Sequence, residues 1–152
     1  MLQTDILTSS PRANGFYRAG RFKKYIPGMY RANELKVLQD NKLGNVRIHE
    51  YERNGWTFHA KGAWLYETPA DVGPSMTIIG SSNYSYRSNR RDTELQLYLV
   101  SEGDDFKRRM HEECQHLFEG SRQMTVATVK NDGVDKLTLT ERVLNFLLKI
   151  LL

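Results

Sequence analysis

The sequence predicts an α/β protein in which a central mixed β-sheet is flanked by helices and followed by a C-terminal amphipathic helix. Short segments such as 46–51, 76–79 and 94–100 have strand alternation or strand-like apolar composition and are bounded by turn residues. Between and after them, Phe106, Met110, Leu117 and Phe118 recur at helical spacing and end at Gly120. The 152 residues, 39% hydrophobic and 26% charged, are enough for one ordinary domain with its own core and unlike a disordered tail. The main domain is expected over residues 1–125, with an extension over 126–152.

In chain order, residues 5–7 read as a short strand that runs into the turn-rich stretch Thr8-Ser-Ser-Pro-Arg-Ala-Asn-Gly15. A polar loop after a strand is where α/β proteins place binding groups. Residues 31–39 read as a weak helix, and 40–44 as a turn. Residues 46–51 alternate like a strand, and Asn54-Gly55 marks a tight turn that would make 56–66 the second half of a hairpin. The segment 67–75 is a loop, and a short buried strand over 76–79 ends at Gly80. Residues 101–120 read as a helix and 124–129 have strand composition. A final helix over 138–152 opens with a Thr138/Glu141 capping box.

The single Cys114 excludes an internal disulfide and a cysteine-rich zinc site, which favours a reducing compartment. No apolar run reaches the roughly 20 residues of a membrane span. The first ten residues carry neither a signal-peptide nor a transit-peptide pattern. The net charge is +4, unevenly spread: between Asp5 and Glu34 there is no acidic residue, while Arg12, Arg18, Arg21, Lys23, Lys24 and Arg31 fall in that gap. Such a block suits the phosphates of a nucleic acid, a nucleotide or an anionic lipid, or is simply a solvated face.

Chemistry concentrates in two stretches. In Trp56-Thr-Phe-His-Ala-Lys-Gly-Ala-Trp64, strand alternation would place His59 and Lys61 on one face. Two such groups repel when both are charged, unless a phosphate lies between them. Lysine then holds a phosphoryl oxygen while imidazole attacks phosphorus or moves a proton. In the second stretch, Gly80-Ser-Ser-Asn83 presents small residues and backbone N–H groups at a strand tip, with Ser81 and Asn83 as further donors to an oxyanion. Glu94 follows at the re-entry into a strand, where its carboxylate could orient an imidazole.

His-x-Lys, then Gly-Ser-x-Asn, then Arg-Ser and Arg-Asp-x-Glu, in that order, resembles the HKD motif of the phospholipase D superfamily. Residues 8–16, 51–64 and 79–88 are similar to the C-terminal half of the eukaryotic phosphatidylglycerophosphate synthases. Position 66, where the general pattern has an aspartate, holds Tyr66. That branch resembles this chain in lacking the aspartate.

The resemblance implies a phospholipase D-like half-domain. It implies phosphatidyl transfer from CDP-diacylglycerol to glycerol 3-phosphate, giving phosphatidylglycerophosphate and CMP, through a phosphohistidine intermediate. His59, Lys61 and Glu94 would be catalytic, with His59 as general acid/base. Lys61, Ser81 and Asn83 would bind phosphate. No metal or other cofactor is implied, and His49, His111 and His116 read as surface residues.

The resembled enzymes carry two such motifs and this chain has one. A second half-site is therefore expected, from a missing N-terminal half or from a second copy. The family address is the mitochondrion, peripheral to the inner membrane, although no targeting segment is visible here. An anionic membrane surface is the expected further partner, met through the apolar 141–152 stretch with Arg142 and Lys149, unless that helix packs on protein. The rival expectations are a homodimeric nuclease or phosphodiesterase of the same superfamily and an inactive membrane-binding fragment.

Overall fold

The computed structural model describes residues 3–17, 26–42, 44–131 and 143. It falls into two compact units. One comprises the chain up to His59 together with the stretch that begins at Gly120, and the other runs from Ala60 to Glu119. The α/β class holds. The sheet expected to be single is two three-stranded sheets among the described residues, one in each unit.

In the first unit, β1 (Thr4–Ser9) pairs in parallel with β2 (Val46–Tyr51), and β6 (Ser121–Met124) pairs antiparallel on the other side of β2. Parallel neighbours need a crossover, and α1 (Ile26–Asp40) supplies it. The hydrophobic core is Leu35, Ile48, Met124 and Val129, with Leu38 and Val126 packed against it. α1 reads as a weak helix because its buried side includes Arg31 and Glu34 beside Met29 and Leu35, so no clean apolar stripe forms. Arg31 grips Glu50 of β2 with two hydrogen bonds of 2.6 Å, and both residues are buried. That removes Arg31 from any phosphate-binding block.

The second unit is an antiparallel meander of β3 (Gly62–Leu65), β4 (Met76–Gly80) and β5 (Gln96–Val100). The short helix α2 (Tyr86–Arg90) lies between β4 and β5, and α3 (Asp104–Phe118) follows β5. Asp104 and Asp105 occupy the first turn of α3, where carboxylates suit the positive end of the helix dipole. Met110 and Cys114 form its buried side. β5 is an edge strand that leaves Leu97, Tyr98 and Val100 exposed.

Two expectations are corrected. Residues 56–61 are not the second arm of a hairpin: both edges of β2 are already taken by β1 and β6, and regular pairing resumes only at Gly62. Residues 124–129 are not a strand: β6 ends at Met124 and α4 (Val126–Asn131) begins. The Thr125 hydroxyl accepts the Thr128 N–H at 3.1 Å, and the Thr128 hydroxyl accepts the Thr125 N–H at 2.7 Å. This reciprocal cap starts a helix despite its β-branched composition. Most of the expected C-terminal helix over 138–152 lies outside the described residues. No described helix is long and apolar enough to cross a membrane.

Candidate active site

His59 ends the N-terminal stretch of the first unit, and its position follows from the loop over residues 9–16. Ser10 is buried, donates its N–H to the Tyr51 carbonyl at 2.9 Å and accepts the Ala13 N–H on its hydroxyl at 3.2 Å. The Asn14 N–H closes the turn onto the Ser10 carbonyl at 3.0 Å, and Asn14 Oδ1 accepts the Phe16 N–H at 2.9 Å. The loop then holds the chain just before the histidine. The Phe58 N–H donates to the Ala13 carbonyl at 2.9 Å, and the Phe58 ring stacks on Tyr51 with centroids 4.9 Å apart. His59 itself is exposed.

Lys61, half-buried, immediately precedes β3 in the second unit. Neither His59 nor Lys61 lies within a strand, so strand alternation does not govern their directions.

Ser81, Asn83 and Glu94 all belong to the second unit. β4 ends at Gly80, whose missing Cβ is a requirement of packing: a methyl there would lie 2.3 Å from the Leu95 carbonyl oxygen. That close approach lets Ser81 bridge the two chain segments. The Ser81 N–H donates to the Leu95 carbonyl at 3.0 Å, and its hydroxyl accepts the Leu95 N–H at 3.0 Å while donating to Glu94 Oε2. Ser81 and Glu94 are thus brought together, with the hydroxyl proton of Ser81 directed to the carboxylate.

Asn83 is exposed at the tip of a loop latched by three serines. Its N–H donates to the Ser88 hydroxyl at 3.2 Å, the Tyr84 N–H to Ser82 at 3.1 Å, and the Ser88 N–H to Ser85 at 3.2 Å. Tyr84 has a left-handed φ of 53°, a conformation uncommon for a bulky residue. Ser82 and Ser88 are buried. In this stretch the sequence singles out Ser81 and Asn83 and leaves the three latching serines unmarked. The available signal was the run of serines beside a bulky aromatic.

Tyr66, at the position where the motif this sequence resembles has an aspartate, bonds His111 of α3: its hydroxyl lies 2.9 Å from Nδ1. Burial first, and then the neighbouring Cys114, pushes the phenol above its usual range, so it is a neutral hydroxyl at physiological pH. His111 is therefore a bonded, half-buried residue and not a plain surface one. His49 is likewise engaged, 3.1 Å from Asp5. His116 is exposed.

A buried acidic group in the first unit was also not anticipated. Glu34 accepts the Thr8 hydroxyl on Oε1 at 2.7 Å, while its buried Oε2 has no hydrogen-bond partner among the described residues. Desolvation, opposed by the Thr8 hydrogen bond and helped by repulsion from Glu50, raises its pKa to about 7. Arg122 adds a 3.3 Å contact to Glu50.

No protein-family model matches the chain. Curated relatives do. The chain is 39% identical over 132 residues to the mouse protein named mitochondrial CDP-diacylglycerol–glycerol-3-phosphate 3-phosphatidyltransferase, which covers 84% of this chain and 24% of that one. The human protein of the same name is 38% identical over 127 residues, or 81% of this chain and 23% of its own. The Saccharomyces pastorianus enzyme of that activity is 31% identical over 144 residues, 86% and 28%. The chain thus spans about a quarter of the length of the curated relatives it matches. Its fold is similar to that in the crystal structure of phosphatidylserine synthase from Haemophilus influenzae, with a TM-score of 0.70 and 16% identity over 97% of this chain and 32% of that one.

Proposed function

The chain is a relative of the CDP-diacylglycerol–glycerol-3-phosphate 3-phosphatidyltransferases, and from that premise we propose that it supplies one half-site for phosphatidyl transfer. The observation that carries the reading is the 31–39% identity to those named enzymes over more than four-fifths of the chain, a stretch holding the ordered set from His59 to Glu94. In the reaction, a histidine nitrogen attacks the phosphorus joined to diacylglycerol, and the bond to CMP breaks. A second histidine protonates the departing CMP oxygen. That histidine then takes the proton from a hydroxyl of glycerol 3-phosphate, the resulting oxygen attacks phosphorus, and the phosphohistidine bond breaks. Each displacement forms one bond to phosphorus and breaks one.

Within this scheme His59 is the general acid/base, and Lys61 and Asn83 hold the non-bridging oxygens as charge shifts in the transition state. Glu94 acts with Ser81: their hydrogen bond fixes the strand tip from which Asn83 is presented. The nucleophilic histidine comes from a second half-site, in a longer chain or a second copy. The relatives' names support CDP-diacylglycerol and glycerol 3-phosphate as substrates and the mitochondrion as the location. A peripheral position on the inner membrane, facing anionic lipid, fits a lipid substrate.

Incubation of the purified chain with CDP-diacylglycerol and glycerol 3-phosphate, alone and with the N-terminal half of a longer relative, tests this. Phosphatidylglycerophosphate and CMP should form in the complemented mixture and vanish with His59→Ala. Product that persists in the variant removes His59 from the chemistry. No product in the complemented mixture refutes the half-site.

A further inference from the structure

The same loop that fastens His59 ends beside exposed aromatic residues. Tyr17 and Phe16 sit at the end of the turn closed by the Tyr17 N–H on the Asn14 carbonyl at 2.9 Å. Trp56 sits at the end of a second turn, closed by its N–H on the Arg53 carbonyl at 3.0 Å, with Gly55 at φ 79°. The two turns are neighbours in the first unit because the Ala13 carbonyl accepts the Phe58 N–H at 2.9 Å. Phe16 is 36% exposed, Tyr17 49% and Trp56 58%.

Cations accompany them. The Arg53 guanidinium lies over the Trp56 ring at 4.5 Å from its centroid. Arg12, with a side chain 75% exposed, stands 3.7 Å from Glu52, a loose and solvated pair. Arg18, Arg21, Lys23 and Lys24 follow Tyr17 directly in sequence.

Exposed Trp and Tyr beside Arg suit the boundary between water and lipid, where an amphipathic ring buries its body and keeps its polar tip wet. The Arg12 and Arg53 side chains beside them add attraction to an anionic bilayer. We propose that Tyr17 and Trp56, with Arg12 and Arg53, form the surface by which this chain sits on an anionic phospholipid bilayer. The inference rests on the lipid-phosphodiester reading of the site and names the surface that serves it. The reacting phosphorus of such a substrate lies at headgroup level while its acyl chains stay in the membrane. Trp56, three residues before His59, would set the depth of the histidine at that level.

The test separates the surface from the reaction. The chain and its Trp56→Phe and Tyr17→Ser/Trp56→Ser variants are mixed with phosphatidylcholine vesicles, with and without phosphatidylglycerol, carrying brominated acyl chains. Vesicle co-sedimentation and tryptophan quenching are read without any turnover. Wild type should bind the anionic vesicles and be quenched, and the Trp56→Phe difference assigns the quenching to Trp56 and not Trp64. The double variant should bind at least about tenfold more weakly, and Arg53→Glu should weaken binding in a salt-dependent way.

Unchanged binding in the double variant, or no quenching of Trp56, overturns the proposal. So does a single-stranded oligonucleotide that quenches Trp56 where vesicles do not, since that marks a base-stacking surface. In the complemented enzyme, the double variant should lose activity on vesicle-embedded CDP-diacylglycerol and keep it on a short-chain soluble analogue. Loss on both substrates by the variant alone overturns a membrane-docking role. Absence of turnover in wild type on both would sink the reaction and leave the vesicle result standing.

Discussion

The Tyr66 hydroxyl lies 2.9 Å from Nδ1 of His111, tying the end of β3 to the middle of α3 at the position where the resembled motif has its aspartate. A phenol in place of a carboxylate exchanges a charged anchor for a neutral one. The ring meets the imidazole edge-on, at 86° and 5.8 Å between centroids. The tie is local to the second unit, whose β3 begins one residue after Lys61.

Tyr66→Phe keeps the ring and removes the hydrogen bond. The expected loss is about 1 kcal/mol of stability, the net worth of one partly buried hydrogen bond. Urea unfolding followed by far-UV circular dichroism reads it as a lower midpoint at unchanged slope. An unchanged midpoint would mean that the tie carries no stability.

Ser81 makes a sharper, residue-level prediction. Its hydroxyl is the acceptor for the Leu95 N–H at 3.0 Å, so Ser81→Ala leaves that amide without its bond. Hydrogen exchange at Leu95 should accelerate at least about tenfold. Glu94→Gln keeps an oxygen acceptor for the Ser81 hydroxyl and should leave the Leu95 amide nearly as protected. Equal acceleration in both variants would show that the carboxylate charge, and not the hydroxyl geometry, holds the strand tip.

These particulars show what was legible. His59, Lys61, Ser81, Asn83 and Glu94 could be picked out because chemistry restricts residue type and order there. β2 and α3 could be read because burial on one face writes a period into the sequence. β4 could be read from its apolar run, although of that run only Thr77 is buried and Ile79 is exposed. The hairpin over 56–66 could not, because pairing depends on which edges of β2 are free, and β6 arrives from more than 70 residues later. α1 was weak in the sequence because a buried Arg31–Glu50 pair and the neighbouring Glu34 replace apolar residues on its inner side. α4 looked like a strand because Val126, Thr128 and Val129 are β-branched, while the Thr125–Thr128 cap decides otherwise.

Gly80 tests how closely β4 and the segment entering β5 must approach. A Cβ there would stand 2.3 Å from the Leu95 carbonyl oxygen and 2.9 Å from the Gln96 Cα, both backbone atoms that cannot swing aside. Gly80→Ala should therefore cost about 2–4 kcal/mol, as a clash inside a paired sheet. The Gly80↔Gln96 pairing should fail first. Amide exchange would show protection lost around residues 80–81 and 95–96 before the rest of the second unit. A variant as stable as wild type would contradict so close an approach of these backbones.

Glu34 predicts how stability depends on pH. Its pKa is raised from 4.5 to about 7, chiefly by burial and further by Glu50, against the hydrogen bond from Thr8 and the charge of Arg31. A raised acid favours the folded state while it stays protonated. Its contribution is complete below about 4.5, declines as the pH climbs toward 7 and is absent above that. At alkaline pH the first unit therefore carries a buried carboxylate whose Oε2 faces no donor among the described residues. Glu34→Gln keeps an oxygen for Thr8 and supplies N–H groups where the proton had been. The variant should match wild type near pH 5 and exceed it at pH 8 by roughly 1–3 kcal/mol, the scale of the rise from 4.5 to about 7 shared with a neighbouring carboxylate. Urea midpoints measured from pH 5 to 8 give the comparison. A wild-type curve with no fall across that window, or a variant that falls in parallel, would show that Glu34 is not the group that titrates.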